Sequence, residues 1–131
     1  MTRPVEAFVA KLGLPADPPD ERFREALTHA SADARSNYER LEFLGDAVLK
    51  LVVSRWLYRD HPGLDEGAMT VARARAVSDE TLARVADDLE LGAHLILGNS
   101  EKRSAGRRKV GILASAFEAV LGAVYLSAGD E

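Results

Sequence analysis

The sequence predicts an all-α domain, and two stretches carry most of that reading. Asn37 to Leu57, NYERLEFLGDAVLKLVVSRWL, repeats at the helical period of about 100° per residue. Residues 110 to 126, VGILASAFEAVLGAVYL, form an apolar run that fits a helix buried on nearly all sides. The connections between periodic segments are short and carry proline, glycine or a capping side chain.

Taken in order, residues 4 to 12 read as a short helix with Val5, Phe8, Val9 and Leu12 on one side. Pro4 suits its first turn and Gly13 its stop. Prolines 15, 18 and 19 make the next segment a loop. Asp20 can cap a helix carrying Phe23, Ala26 and Leu27, which ends near THAS at 28 to 31. His29 there reads as a satisfied, partly buried histidine without chemistry. The central helix should run to about Tyr58, packing through Leu41, Leu44, Val48, Leu51 and Val52.

Pro62 and Gly63 break the chain after it. Asp65 can then cap a helix with Glu66 in its first turn, and Ala72, Ala74 and Ala76 allow it close contact. Ser78 caps the next helix, whose apolar stripe is Leu82, Val85, Ala86 and Leu89 and whose stop is Gly92. HLILGN is either a final turn or an extended piece. Residues 100 to 109, SEKRSAGRRK, gather Lys102, Arg103, Arg107, Arg108 and Lys109 around Gly106, a candidate phosphate contact. No aromatics interleave with them, so stacking on single-stranded bases is not indicated.

The chemistry concentrates in carboxylates. On the central helix Glu39, Glu42 and Asp46 stand at i, i+3 and i+7, inside an arc of roughly 60°. Like charges at these spacings weaken an isolated helix by a few tenths of a kcal/mol per pair. Arg40 and Lys50 are expected to point elsewhere. An acidic face can be a solvated face only; it can also hold a divalent cation. Glu118 is the one ionisable group in the apolar run, and burying an unpaired carboxylate costs several kcal/mol. It needs either an arginine or histidine partner or a metal shared with the central helix. Ser115 lies one turn before it on the same face.

At 131 residues, with 47% hydrophobic and 29% charged residues, the chain fits one soluble domain rather than a membrane protein. The absence of cysteine excludes disulfides and thiolate metal sites and suits a reducing cytosol. The N-terminal residues lack the apolar run of a signal peptide, so a cytoplasmic location is expected. A net charge of −4 means that any grip on nucleic acid rests on local clusters of bases or on a metal that offsets the acidic face.

NYERLEFLGDAVL closely resembles the ribonuclease III signature, N-x-E-R-L-E-F-L-G-D-(A/S)-V-L. EALTHAS is similar to the family's ALTHRS, LDEGAMT to LDEGELT, and ILASAFEAVLGAVYL to ILADAFEALLGAIYL. The resemblance covers nearly the whole chain in order and implies the all-helical endonuclease domain of double-stranded-RNA-cleaving enzymes over residues 1–131. It further implies a homodimer with a cleft across it, and hydrolysis with Mg²⁺, for which Mn²⁺ can substitute, leaving a 3′-hydroxyl and a 5′-phosphate. By position, Glu42, Asp46 and Glu118 match metal-site and catalytic carboxylates, and Glu39 and Glu66 match further acidic cleft residues.

This chain departs from the pattern where Ser115 replaces the family's other metal-site aspartate, and where Gly111 replaces a helix-capping serine. A hydroxyl is a neutral, weak ligand for a hard cation, so weaker metal affinity and a slower reaction are expected. The rival expectation is a non-catalytic RNA-binding or assembly module that keeps the fold. The chain also stops at Glu131, before the family's last helix and its double-stranded-RNA-binding domain.

Overall fold

The final helix, Val110–Ala128, is the axis on which the other elements pack, because alanine dominates its sides. Ala116, Ala119 and Ala123 are wholly buried, and small side chains there let neighbouring helices approach closely. This is a computed structural model describing residues 21 to 128. The short helix expected over 4 to 12, the proline loop and the Asp20 cap lie outside the described residues.

The order of elements is α1 (Glu21–Ala26), α2 (Glu39–Asp60), α3 (Glu66–Ala76), α4 (Asp79–Asp88), a 3₁₀ turn (Leu91–His94), α5 (Asn99–Arg103), a second 3₁₀ turn (Gly106–Arg108) and α6 (Val110–Ala128). The described residues are thus helical apart from loops and one isolated bridge. In that bridge HLILGN resolves as extended: Thr28 and Ile96 pair in parallel, with Ile96 N–H donating to the Leu27 carbonyl at 2.8 Å. His29 is satisfied as expected. Its Nδ1 accepts from the Ser31 N–H at 3.0 Å, and its ring meets the Tyr38 edge with centroids 5.5 Å apart.

Of the expected caps, those at Asp65 and Ser78 are present, and Asn37 adds one at α2 that was not foreseen. Asn37 Oδ1 accepts from Glu39 N–H at 3.0 Å, Asp65 Oδ1 from Ala68 N–H at 2.8 Å, and Ser78 Oγ from Thr81 N–H at 3.3 Å. Each side-chain oxygen satisfies a donor that the first turn leaves open. The main core gathers Phe23, Leu27, Leu41, Leu91, Leu113 and Val120 around the alanine face of α6.

Two packing expectations need correction. On α2 the buried line is Leu41, Gly45, Leu49 and Leu57, while Leu51 is 65% exposed and Val52 47%. Leu51, six residues past Gly45, turns roughly 120° away from the Gly45 face that α6 covers; Val52, seven residues past it, shares that face and is only about half covered. On α3 none of the side chains is buried, so its alanines do not make the close contact foreseen. Val110–Ser127 is long and apolar enough to cross a membrane by composition, yet here it is the helix at the centre of the fold.

Candidate active site

Gly45 of α2 and Gly122 of α6 are the reason two carboxylates from distant segments meet. A methyl group on Gly45 would collide with the Glu118 carbonyl, and one on Gly122 would lie 2.5 Å from the Leu41 carbonyl. The two backbones therefore touch, running antiparallel. Asp46 follows Gly45 directly and Glu118 precedes Gly122 by one turn, so their side chains emerge at the same edge of the contact. The two carboxyls are within hydrogen-bonding reach of each other.

Glu118 is buried, with 9% of its surface exposed. Burial, the hydrogen bond with Asp46 and the charges of Asp46, Glu42 and Asp79 together push its carboxyl up to about 8. Asp46 moves the other way. The bond that Glu118 donates holds it below the ordinary carboxylate range, with Lys50 adding to the effect. One proton is thus shared unequally by a pair of acids, as expected of two carboxyls forced together.

Lys50 corrects the expectation that no base faces the acidic row. Its Nζ lies 3.1 Å from Asp46 Oδ2, with both side chains about half exposed. The spacing i, i+4 puts the two on one face of α2. Among the described residues no three acidic or histidine side chains stand close enough to form a ready-made metal cage. The donor set is nevertheless all oxygen and carries excess negative charge, the chemistry that suits a hard divalent ion such as Mg²⁺. The residues present fit such an ion once Lys50 yields Asp46.

The other expected site residues fall in different places. Glu42 is half-buried one turn before Asp46 and acts on both Glu118 and the Tyr38 phenol through its charge. Glu39 is exposed and acts on Tyr38 only. Ser115 is partly buried, and its hydroxyl reaches that of Tyr38. Burial, then Glu42 and Glu39, raise the Tyr38 phenol above its ordinary range. Glu66 is not brought to the Asp46–Glu118 pair: it is exposed at the start of α3 and lines a separate cavity of about 400 Å³ with Arg55, Tyr58 and Arg73.

The basic segment is also divided. Arg107 Nη1 donates to the carbonyls of Gly92 at 3.0 Å and Leu95 at 2.6 Å, and Lys109 Nζ binds Glu101 Oε1 at 2.7 Å. Gly106, expected to be flexible, is buried against Glu101. Arg107 and Lys109 therefore fasten the segment to the fold, while Lys102, Arg103 and Arg108 remain exposed. One residue close to the site escaped the sequence reading. Asp79, in the first turn of α4, places its charge on Glu118, and no local pattern could have linked α4 to α6.

Comparison with known proteins identifies the family and the fold. The family model described as Ribonuclease-III-like matches residues 19–131. Ribonuclease 3 of Pelotomaculum thermopropionicum is 54% identical over 112 residues, covering 81% of this chain and 46% of that protein. Ribonuclease 3 of Methylococcus capsulatus is 49% identical over 129 residues, covering 98% of this chain and 55% of that one. The chain thus spans about half the length of the curated relatives it matches. A solved nuclease domain of ribonuclease III from Campylobacter jejuni, described for flexibility in a region involved in dimer formation, superposes with a TM-score of 0.91. It is 36% identical, over 96% of this chain and 87% of that one. A signature helix, a buried glutamate on the last helix and a match over most of the length make this chain a member of the ribonuclease III family.

Proposed function

We propose that this chain is a Mg²⁺-dependent endoribonuclease domain that hydrolyses phosphodiesters in double-stranded RNA as a homodimer in the cytoplasm. The observation that carries the reading is the Asp46–Glu118 pair. A buried glutamate faces an aspartate from another helix, and every charge acting on it is another carboxylate. Such an arrangement destabilises the fold on its own, which a bound cation would offset.

Asp46 and Glu118 would hold the metal, Glu42 would support it, and Glu39 would stand at the rim. Bound there, Mg²⁺ supplies activation of a water nucleophile and neutralises charge building on the phosphate. Glu118 must release its proton before it can act as a ligand, and Asp46 must part from Lys50. Tyr38 holds Ser115 beside Glu42, closing the α1 side of the site. Lys102, Arg103 and Arg108 are free to meet RNA phosphates. Glu66, far from the pair within one chain, would serve as a cleft acid from its own edge. Self-association is supported by the uncovered side chains Phe43, Leu51, Val52 and Trp56 of α2, with Phe43 83% exposed.

Cleavage of a long RNA duplex with Mg²⁺ tests the reading. Asp46→Asn should lose about 100-fold or more in kcat, since it removes a direct ligand; unchanged activity rules the assignment out. A second reading, a non-catalytic RNA-binding or assembly module, is favoured by the hydroxyl at Ser115. A silent parent that gains strong activity on Ser115→Asp would establish it.

A further inference from the structure

Three helices meet in a small apolar cluster formed by Leu49 of α2, Leu82 of α4 and Ala114 of α6, with Phe117 and Leu121 against it. One turn from each member stands a carboxylate: Asp46 before Leu49, Asp79 before Leu82, Glu118 after Ala114. Because α6 runs antiparallel to the other two, all three offsets lead in the same direction. Positions three or four apart on a helix share a face. The apolar cluster is therefore overlaid by a layer of three carboxylates from three elements. The centre of that layer is Glu118, nine-tenths buried.

We infer that Asp79 is a positioning residue of the metal site, supplying from α4 the negative charge that the hydroxyl of Ser115 does not. This rests on the metal-site reading of Asp46 and Glu118 given above. Asp79 is exposed and stands outside a closed three-acid cage. It therefore acts on the ion from beyond the direct ligands, by charge and by fixing the orientation of what lies between. Its other available role is favourable interaction with the N-terminus of α4, which Glu80 in the same turn would share.

Titration of the metal-free chain with Mg²⁺, followed by calorimetry and by the Mg²⁺-dependent rise in Tm, separates these roles. Asp79→Asn should weaken Mg²⁺ binding about tenfold, the scale of outer-shell changes at metal sites, with the metal-free Tm little changed. Asp79→Glu should retain most of the affinity, and Glu80→Gln should leave it within about twofold. Ser115→Asp should restore affinity to Asp79→Asn. An Asp79→Asn protein that binds Mg²⁺ like the parent, while Asp46→Asn does not bind, would overturn the role of Asp79 and leave the site standing. Binding unaffected by Asp46→Asn would remove the site itself. An equal loss from Asp79→Asn with and without Ser115→Asp would show that the two positions do not substitute for one another.

Discussion

Glu118 is a carboxylate kept where water would not leave it unpaired, and its proton links the site to stability. In the folded chain it titrates at about 8, against an ordinary value of 4.5. Between those values the folded state holds a proton that the unfolded state has released, so stability falls as pH rises. The contribution is complete below about 4.5 and lost through about 8. Glu118→Gln, which cannot ionise, should therefore raise the Tm of the metal-free protein at pH 8.5 by several degrees and change it little at pH 4.5. Thermal melts in chelator at the two pH values check this; equal shifts would show that burial of the charge is not the cause. The residues themselves announced this position, because a lone glutamate in an apolar run demands an explanation. They did not announce Lys50, whose pairing with Asp46 depends on a rotamer rather than on a pattern.

The contact between α2 and α6 depends on the glycines Gly45 and Gly122, whereas Gly111 at the start of α6 has no such role. At Gly45 an added methyl would meet the Glu118 carbonyl, and backbone cannot yield as a side-chain tip can. Gly45→Ala should cost about 3 kcal/mol or more, the upper range for overpacked cores, and separate Asp46 from Glu118. Gly111 has open space where a methyl would stand. Gly111→Ala should stabilise the domain by about 0.5–1 kcal/mol through helix propensity. Denaturant melts of the two variants should move in opposite directions.

The basic segment divides in the same way. Arg107→Ala removes the side-chain donor to the Gly92 and Leu95 carbonyls and should cost about 1–3 kcal/mol. Lys102→Ala and Arg103→Ala should leave the Tm unchanged and lower the salt dependence of RNA binding by about one ion each. A segment read as five equivalent cations thus contains two that build the fold, which its composition could not distinguish.

At the scale of the molecule, several large apolar side chains among the described residues are left exposed. On α2 the large side chains Phe43, Leu51, Val52 and Trp56 are all left substantially exposed, Phe43 most of all. Phe43→Glu should weaken self-association about 100-fold, since burying one large apolar side chain is worth about 1.5–3 kcal/mol. Sedimentation should then report the monomer mass with helical circular dichroism intact; an unchanged mass would place the interface elsewhere.

Periodicity, caps and breakers were enough to specify the helices at 21–26, 39–60, 66–76, 79–88 and 110–128, because these are local matters of 3.6-residue spacing and of donors left open at helix ends; the short helix Asn99–Arg103 falls in a segment read as a basic loop. The signature and the buried glutamate likewise specified the family and the acids Asp46 and Glu118. Which apolar side chains of α2 are covered, and where Glu66 lies, were decided only by assembly. Each depends on which backbones can touch, and the Gly45–Gly122 approach joins segments more than seventy residues apart.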